Sequence, residues 1–482
     1  MKQDRKRVAV VGAGVGGLAT AVRLAHMGYD VDVFEKLPEC GGRAHMIEEK
    51  GFKFDTGPSF VLMPDFFEEI FSFCGEDIQD YLDLKVLDVS YKIFYPDGET
   101  LSVYRDSSKT KEELERLEKG SSDSYEIFLK HTEKIYRSVR PLLYQCFTKK
   151  SLLDPKMWPL LVKLEPFNTY WNLAKKYFKT EKLCYAFTFE AMFMGLSPFE
   201  TPAFYSVISY TDHIQKIAHP IGGMYQIPLA LEKLAKNKGV QFHYDVEVKR
   251  IKEKKDSVTL VLQDKEIAYP YAVSNADYAY TQADLLKRSL PDYQYSCSVF
   301  LVYLGLKKKI RGLEHHNLFF SGDLRKNLRQ IFKENVVPDD PSFYIHVPTV
   351  TDPSLAPEGK DILYILIPVA NLKNKTSSFF EQEQRLKRIV YDKVKEITGE
   401  NIEELIEVEH KFYPRDFISR YNIRYGATFG LAHNLMQSAF FRPANQDKKI
   451  KRLFYTGAST QPGGGLPVVL ASSKIVADMI SA

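Results

Sequence analysis

Gly12, Gly14 and Gly17 stand in the spacing GxGxxG, directly after the β-branched run Val8-Ala9-Val10-Val11. That spacing suits a phosphate ligand. The first glycine permits a tight turn, the second lets backbone approach a pyrophosphate, and the third lets a helix pack on a strand. Glu35 follows 23 residues after Gly12, where a carboxylate can accept both hydroxyls of an adenosine ribose and disfavours a 2′-phosphate, hence NADP. GxGxxG alone would equally mark a glycine-rich turn. The strand before it, the helix after it and the acid at the right distance select dinucleotide binding. Further on, Gly41-Gly42 allow backbone to run close against a phosphate, and Arg43 offers a permanent cation to the pyrophosphate, with a solvated surface charge as the alternative.

These residues need particular elements to hold them. Leu18, Ala21, Val22 and Ala25 repeat at the period of a helix face, Gly28 caps that helix, and Asp30 to Glu35 alternates like a second strand, so the opening is a βαβ unit. At the other end Leu453 to Gly457 reads as a short strand, and Pro462-Gly463-Gly464-Gly465-Leu466-Pro467 leads into a helical stripe of Val469, Ser473, Val476 and Ile480. A helix N-terminus after a glycine-rich crossing stabilises negative charge on a ligand, whereas a plain cap needs only one glycine. Asp245 to Ile251 and Ser257 to Leu262 read as a hairpin. Nucleotide motifs at both termini exclude three sequential domains.

The 482 residues carry 66 Lys and Arg against 62 Asp and Glu, a net charge of +4 that is too balanced for a chain-wide nucleic-acid field. With 44% hydrophobic and 27% charged residues the composition is globular. Five dispersed cysteines, never in CxxC spacing, suggest neither a disulfide framework nor a zinc site and point to a reducing compartment. No uncharged run is apolar enough to span a bilayer, and no cleavage site follows the glycine-rich first run, so neither a membrane span nor export is expected. There is no HExxH, and the adjacent His315-His316 read as a solvated loop pair, so no metal is expected.

Several stretches then resemble one family. KLPECGGR (36–43), FDTGP (54–58), PIGGM (220–224) with the following helix and strand, FYIHVPTVTDPSLAPEG (343–359), GATFGLAHNLMQSAFFRP (426–443) and TGASTQPGGGLPVVLASSKIVADMI (456–480) are similar to the carotenoid desaturases, including phytoene and dehydrosqualene (diapophytoene) desaturases, within the amine oxidase-like flavoproteins. The resemblance runs from about residue 8 to 480. It implies an α/β fold with a Rossmann-type FAD-binding domain, an interleaved substrate domain of mixed sheet plus helices, and a helical membrane-facing region at about 110–205. The FAD-binding domain would comprise residues 1–80, 215–285 and 408–482, and the substrate domain 81–214 and 286–407. FAD would be held by Gly12, Gly14, Gly17, Glu35, Lys36, Gly42, Arg43, Gly57, Pro58, Val248, Gly457, Ala458, Gly465, Pro467 and Val468, with the Val248 backbone edging the adenine. The activity implied is desaturation of a long isoprenoid hydrocarbon, hydride leaving to flavin N5 and a proton to the surroundings. Gln461 and Gly464 depart from the His and Ala expected there, and Tyr295-Ser296-Cys297-Ser298 leans toward the dehydrosqualene enzymes. A carotenoid oxygenase or isomerase, and a non-catalytic prenyl-binding escort protein, share the scaffold as alternatives.

The resemblance supplies no catalytic acid or base. Glu190 is a candidate base because its aromatic and Met-rich neighbours would raise its pKa, against a carboxylate turned outward or paired with a lysine. Between Arg140 and Leu183 nine basic residues (Arg140, Lys149, Lys150, Lys156, Lys163, Lys175, Lys176, Lys179, Lys182) face three acidic ones, and both tryptophans, Trp158 and Trp171, fall in the same stretch. This reads as a membrane-facing surface through which substrate enters, against a solvated helix pair whose aromatics fill the core. The expected setting is cytoplasmic and peripheral to the membrane, without nucleic acid, and an oligomer is compatible with the sequence.

Overall fold

The computed structural model describes residues 6–148, 151, 154–374 and 379–482. The opening βαβ unit forms as its periodicity dictates: β1 (Arg7–Val11), α1 (Val15–His26) and β2 (Asp30–Phe34). β1 and β2 lie in a five-stranded parallel sheet, in the order Leu453–Tyr455, Tyr271–Ser274, β1, β2, Gln241–His243. All five carboxyl ends therefore open on one edge, where α/β sheets place their ligands. α1 is sandwiched against the helices Leu466–Ser481 and Gln226–Asn237. Gly12 takes φ +99° to make the turn, and a Cβ at Gly17 would stand 2.0 Å from the Gly12 carbonyl oxygen, so only glycine lets α1 sit this close to β1.

A seven-stranded sheet runs in the order Ile406–Phe412, Ser298–Leu306, Asp361–Val369, Phe343–His346, His316–Phe319, Val89–Phe94, Thr100–Tyr104. It is antiparallel except where His316–Phe319 pairs with Val89–Phe94. Its second strand, Ser298–Leu306, is buried along its whole length because both faces are covered. Phe300, Val302 and Leu304 pack in one cluster with Leu386, Val390 and Val394 of the helix Phe379–Thr398, while Val299 and Leu301 face a cavity on the other side. The helices Ser107–Leu117 and Ser121–Val139, with shorter turns up to Gln215, close that side. Among the described residues no helix is long and apolar enough to cross a membrane.

Three expectations change, and part of a fourth lies outside the described residues. The hairpin begins at Arg250 rather than Asp245, because Asp245 turns at φ +56° and residues 245–249 cross over the end of β2. His315 and His316 are buried beside a strand of the larger sheet instead of lying in a solvated loop. Trp171 is 4% exposed, wedged between Tyr185 and Phe199, whereas Trp158 is 65% exposed, so the two tryptophans do not share a surface. Lys149 and Lys150, counted in the basic stretch, lie outside the described residues, as does the side chain of Lys156.

The two tryptophans make a direct comparison. Trp171→Ala empties a packed aromatic site and is expected to destabilise the protein by about 3–5 kcal/mol, while Trp158→Ala stays within about 0.5 kcal/mol. Denaturant unfolding of the two variants against the parent chain measures the difference.

Candidate functional site

One cavity of about 1230 Å³ runs from the open edge of the parallel sheet to the face of the seven-stranded sheet. Its first half is lined by Gly12, Gly14, Glu35, Lys36, Gly42, Arg43, Gly57, Pro58, Val248, Gly457, Ala458, Gly465, Pro467 and Val468. Gly17 stands behind this wall, where it permits the packing of α1. The Glu35 carboxylate is buried without a counter-ion among the described residues, and each oxygen accepts one backbone N–H: Oε2 from Ala13 (2.7 Å) and Oε1 from Leu37 (2.9 Å). Each oxygen keeps a further lone pair for a hydroxyl donor. Lys36 Nζ donates to the Ser419 carbonyl (3.2 Å) and Asn422 Oδ1 (3.1 Å), and burial lowers its pKa. Val248 lies outside any strand. Its neighbours Val246 and Lys249 spend their N–H groups on Glu35 and Val261, while the Val248 backbone meets no partner among the described residues.

Three observations fit this half to a dinucleotide carrying a flavin. The turn, the loop 41–43 and Asn275 approach so closely that a Cβ at Gly14 would stand 2.8 Å from Asn275 Oδ1, and one at Gly42 3.3 Å from the Gly14 Cα. Arg43 donates Nη1 to the Thr428 carbonyl (2.8 Å) and forms no ion pair among the described residues, so its charge, disfavoured by burial, faces the cavity. At the far wall Gly465, at φ +100°, caps the helix Leu466–Ser481, and a Cβ there would meet only open space, the room a ring system needs. FAD supplies a hydride acceptor here when bound. Gly12 and Gly14 with the N-terminus of α1 would hold its pyrophosphate, Glu35 its ribose, and the loop 457–468 its ring.

Sequence reasoning did not single out the residues that shape this loop. Asn275, at the carboxyl end of the strand Tyr271–Ser274, donates Nδ2 to the Thr456 carbonyl (3.1 Å). Arg442 donates to five backbone carbonyls on both sides of the loop, among them Gln437 (3.0 Å) and Thr460 (3.1 Å). His433 accepts the Gly464 N–H at Nε2 (2.9 Å), with Nδ1 3.3 Å from the Met194 carbonyl. A Cβ at Gly464 would crowd that imidazole at 3.1 Å, which accounts for the missing alanine. Asp55 accepts the N–H groups of Met224 (2.7 Å) and Tyr225 (3.0 Å) and so grips the Gly222-Gly223 turn, although burial pushes its carboxyl up to about 6. Only Asn275 carried a usable signal, its place at the end of a parallel strand.

The second half of the cavity is apolar, walled by Leu142, Phe189, Met192, Phe320, Tyr344 and Leu366. Glu190 stands off this wall. Its carboxyl turns away, accepting Ser209 Oγ (3.0 Å) and Tyr170 OH (3.2 Å) in a buried cluster with Asp212 and His213. Desolvation raises both Glu190 and Asp212, Asp212 the further because of the acid beside it. Carboxyls whose pKa values are raised on folding stabilise the native state fully at acid pH, and the contribution is lost as pH climbs through neutrality. Glu190→Gln removes its share of that loss, so the variant's melting temperature relative to the parent's is expected to rise as pH increases from about 5 to 8.

Glu35→Ala removes acceptors worth about 1.5–3 kcal/mol per charge-assisted bond, so FAD affinity is expected to drop at least about tenfold. Fluorescence titration of the stripped protein with FAD reads this directly, and unchanged affinity would remove Glu35 from the ribose.

Residues 15–481 match the flavin-containing amine oxidoreductase family. The chain is 39% identical over 487 residues to a zeta-carotene-forming phytoene desaturase of Myxococcus xanthus, covering 98% of this chain and 94% of that protein. It is 35% identical over 491 residues to a 4,4′-diapophytoene desaturase (4,4′-diaponeurosporene-forming) of Staphylococcus haemolyticus, covering 98% of each. The solved cyclohexylamine oxidase of Brevibacterium oxydans superposes with a TM-score of 0.65 at 15% identity, covering 99% of both chains, a likeness of fold. With the glycine turn, the buried acid Glu35 and the C-terminal loop assembled on one cavity, the chain belongs to the flavin-containing amine oxidoreductases, FAD-dependent oxidoreductases of α/β fold.

Proposed function

We propose that the protein desaturates a long isoprenoid hydrocarbon of the phytoene or dehydrosqualene class. One observation carries this reading: the half of the cavity beyond the nucleotide pocket is walled by hydrocarbon and aromatic side chains. A cationic amine would need a carboxylate there, and the acid in that half, Glu165, is bound by Lys176 at 2.9 Å. The full-length similarity to a phytoene and a diapophytoene desaturase supports the same substrate class. Glu35, Arg43 and the loop 457–468 fix the cofactor, and Phe189, Met192, Phe320 and Leu366 align the chain and exclude water. Hydride loss leaves a strongly acidic carbon, so the proton can leave without a general base on the wall. The two interleaved units read from the sequence suit this division of labour, with the strand Ile406–Phe412 reckoned to the substrate unit whose sheet it completes.

The same reading places the hydrocarbon's entry at a membrane surface. Val162 (79% exposed) and Phe167 (92%) stand with Met157, Leu160, Leu435 and Met436 on the cavity lining, and Trp158 is exposed beside them. Apolar side chains at a cavity rim suit the acyl boundary, and nearby lysines such as Lys163 suit an anionic leaflet.

Two measurements test the proposal. The FAD-loaded protein, given phytoene and dehydrosqualene separately, is expected to yield from at least one a product lighter by two hydrogens with a longer conjugated chromophore. A product heavier by oxygen, an isomer, or no product from either would overturn it. Val162→Ser/Phe167→Ser is expected to lose sedimentation with anionic liposomes while keeping the parent melting temperature. Parent-like sedimentation would move the entry elsewhere.

A further inference from the structure

Four histidines meet where the strand Ala218–Pro220 approaches the seven-stranded sheet: His219 from that strand, His315 and His316 at the start of His316–Phe319, and His346 at the end of Phe343–His346. All four are buried, and none lines the cavity. His315 Nε2 and His346 Nε2 lie 2.9 Å apart, so a single proton fills the gap and one ring presents a lone pair. His315 Nδ1 is held by Thr351 Oγ1 at 2.7 Å. His219 has no hydrogen-bond partner at either nitrogen among the described residues, and its Nε2 stands 3.8 Å from Asp352 Oδ2. The Asp352 carboxylate is itself positioned by the Gly222 N–H (2.6 Å) and the Ser354 N–H and hydroxyl.

An imidazole buried with both nitrogens unpaired is costly, and a cation set among these rings is the group that would satisfy it. One ligand atom each of His219, His315 and His346 falls within 4.8 Å of the others. Nitrogens sharing a tetrahedral ion with bonds of about 2.0–2.1 Å stand roughly 3.3 Å apart, so the three rings would draw together around an ion and the Asp352 side chain, now next to His219, would turn in to reach it. We propose that His219, His315 and His346 bind a divalent transition metal of the zinc class, with Asp352 as the fourth ligand. Three imidazoles and a carboxylate are a borderline-soft set suited to zinc, and Thr351 supplies the outer partner that fixes the His315 tautomer. His316 meets Tyr344 OH through Nδ1 (2.6 Å), and its ring stacks on Phe60, so it walls the site without entering it. The role is structural: the ion would pin the Gly222-Gly223 turn, which Asp55 grips from the other side, to the sheet that carries the substrate wall.

The test is elemental analysis of tag-free, FAD-loaded protein produced in zinc-supplemented medium, and of a cobalt-grown preparation. About one metal ion per chain is expected after desalting, with tetrahedral Co²⁺ bands at wavelengths beyond the flavin absorption. His219→Asn breaks no hydrogen bond of the site and is expected to lower metal content more than tenfold with the FAD content unchanged. Parent protein free of metal from both media, or His219→Asn holding as much as the parent, would overturn the site and leave a hydrogen-bonded histidine cluster.

Discussion

Arg442 carries its guanidinium, 2% exposed, into a ring of backbone carbonyls from Leu431, Ala432, Gln437, Ala458 and Thr460. Removing a cation from water is expensive, and burial lowers this one to about 10 even with every donor direction occupied. Burial keeps the neighbouring His433 neutral, and because carbonyl dipoles satisfy the Arg442 hydrogen bonds without cancelling its charge, the Arg442 field acts in the same direction. A neutral His433 has a lone pair for the Gly464 N–H at Nε2, and the other nitrogen faces the Met194 carbonyl. One buried charge thus fixes the shape of the C-terminal loop and ties that loop to the apolar wall at Met194.

The nucleotide end uses the same device with the opposite sign. Glu35 is held by two backbone N–H groups and Arg43 by one carbonyl, neither with a counter-ion among the described residues. A salt bridge between acid and base would have closed the pocket on itself. Backbone partners leave an anion with free lone pairs at one place and a cation at another, the complement of a ligand that carries hydroxyl donors on a ribose and acceptor oxygens on a pyrophosphate.

Legibility followed sequence distance. The unit from Arg7 to Phe34 was readable because its glycine turn and its cap at Gly28 act on neighbours within one βαβ unit. The C-terminal loop was readable as glycines before a helix, but not its supports: Asn275 reaches it from the end of another strand, its place there the one signal, and Arg442 looks like an ordinary polar residue in the chain. Trp171 shows the limit of composition. An aromatic among lysines reads as interfacial until the fold places Tyr185 and Phe199 around it. His315-His316 misled for a related reason, since their buried partners, His219 and His346, are brought by other strands.

The departures at residues 461 and 464 belong to one arrangement. Gln461 accepts the Phe147 N–H at Oε1 (2.6 Å) and donates Nε2 to the Phe147 carbonyl (2.9 Å), pairing with that residue as a neighbouring strand would. A primary amide presents donor and acceptor side by side, whereas an imidazole places its two nitrogens on different edges and could serve only one of these groups. Glutamine at this position therefore fastens Phe147 onto the C-terminal loop. Glycine at 464 then leaves that loop the clearance from His433 that it needs to sit flat against the same support. Phe147, which lines the cavity, is thereby tied to the C-terminal loop through both the donor and the acceptor of one side chain.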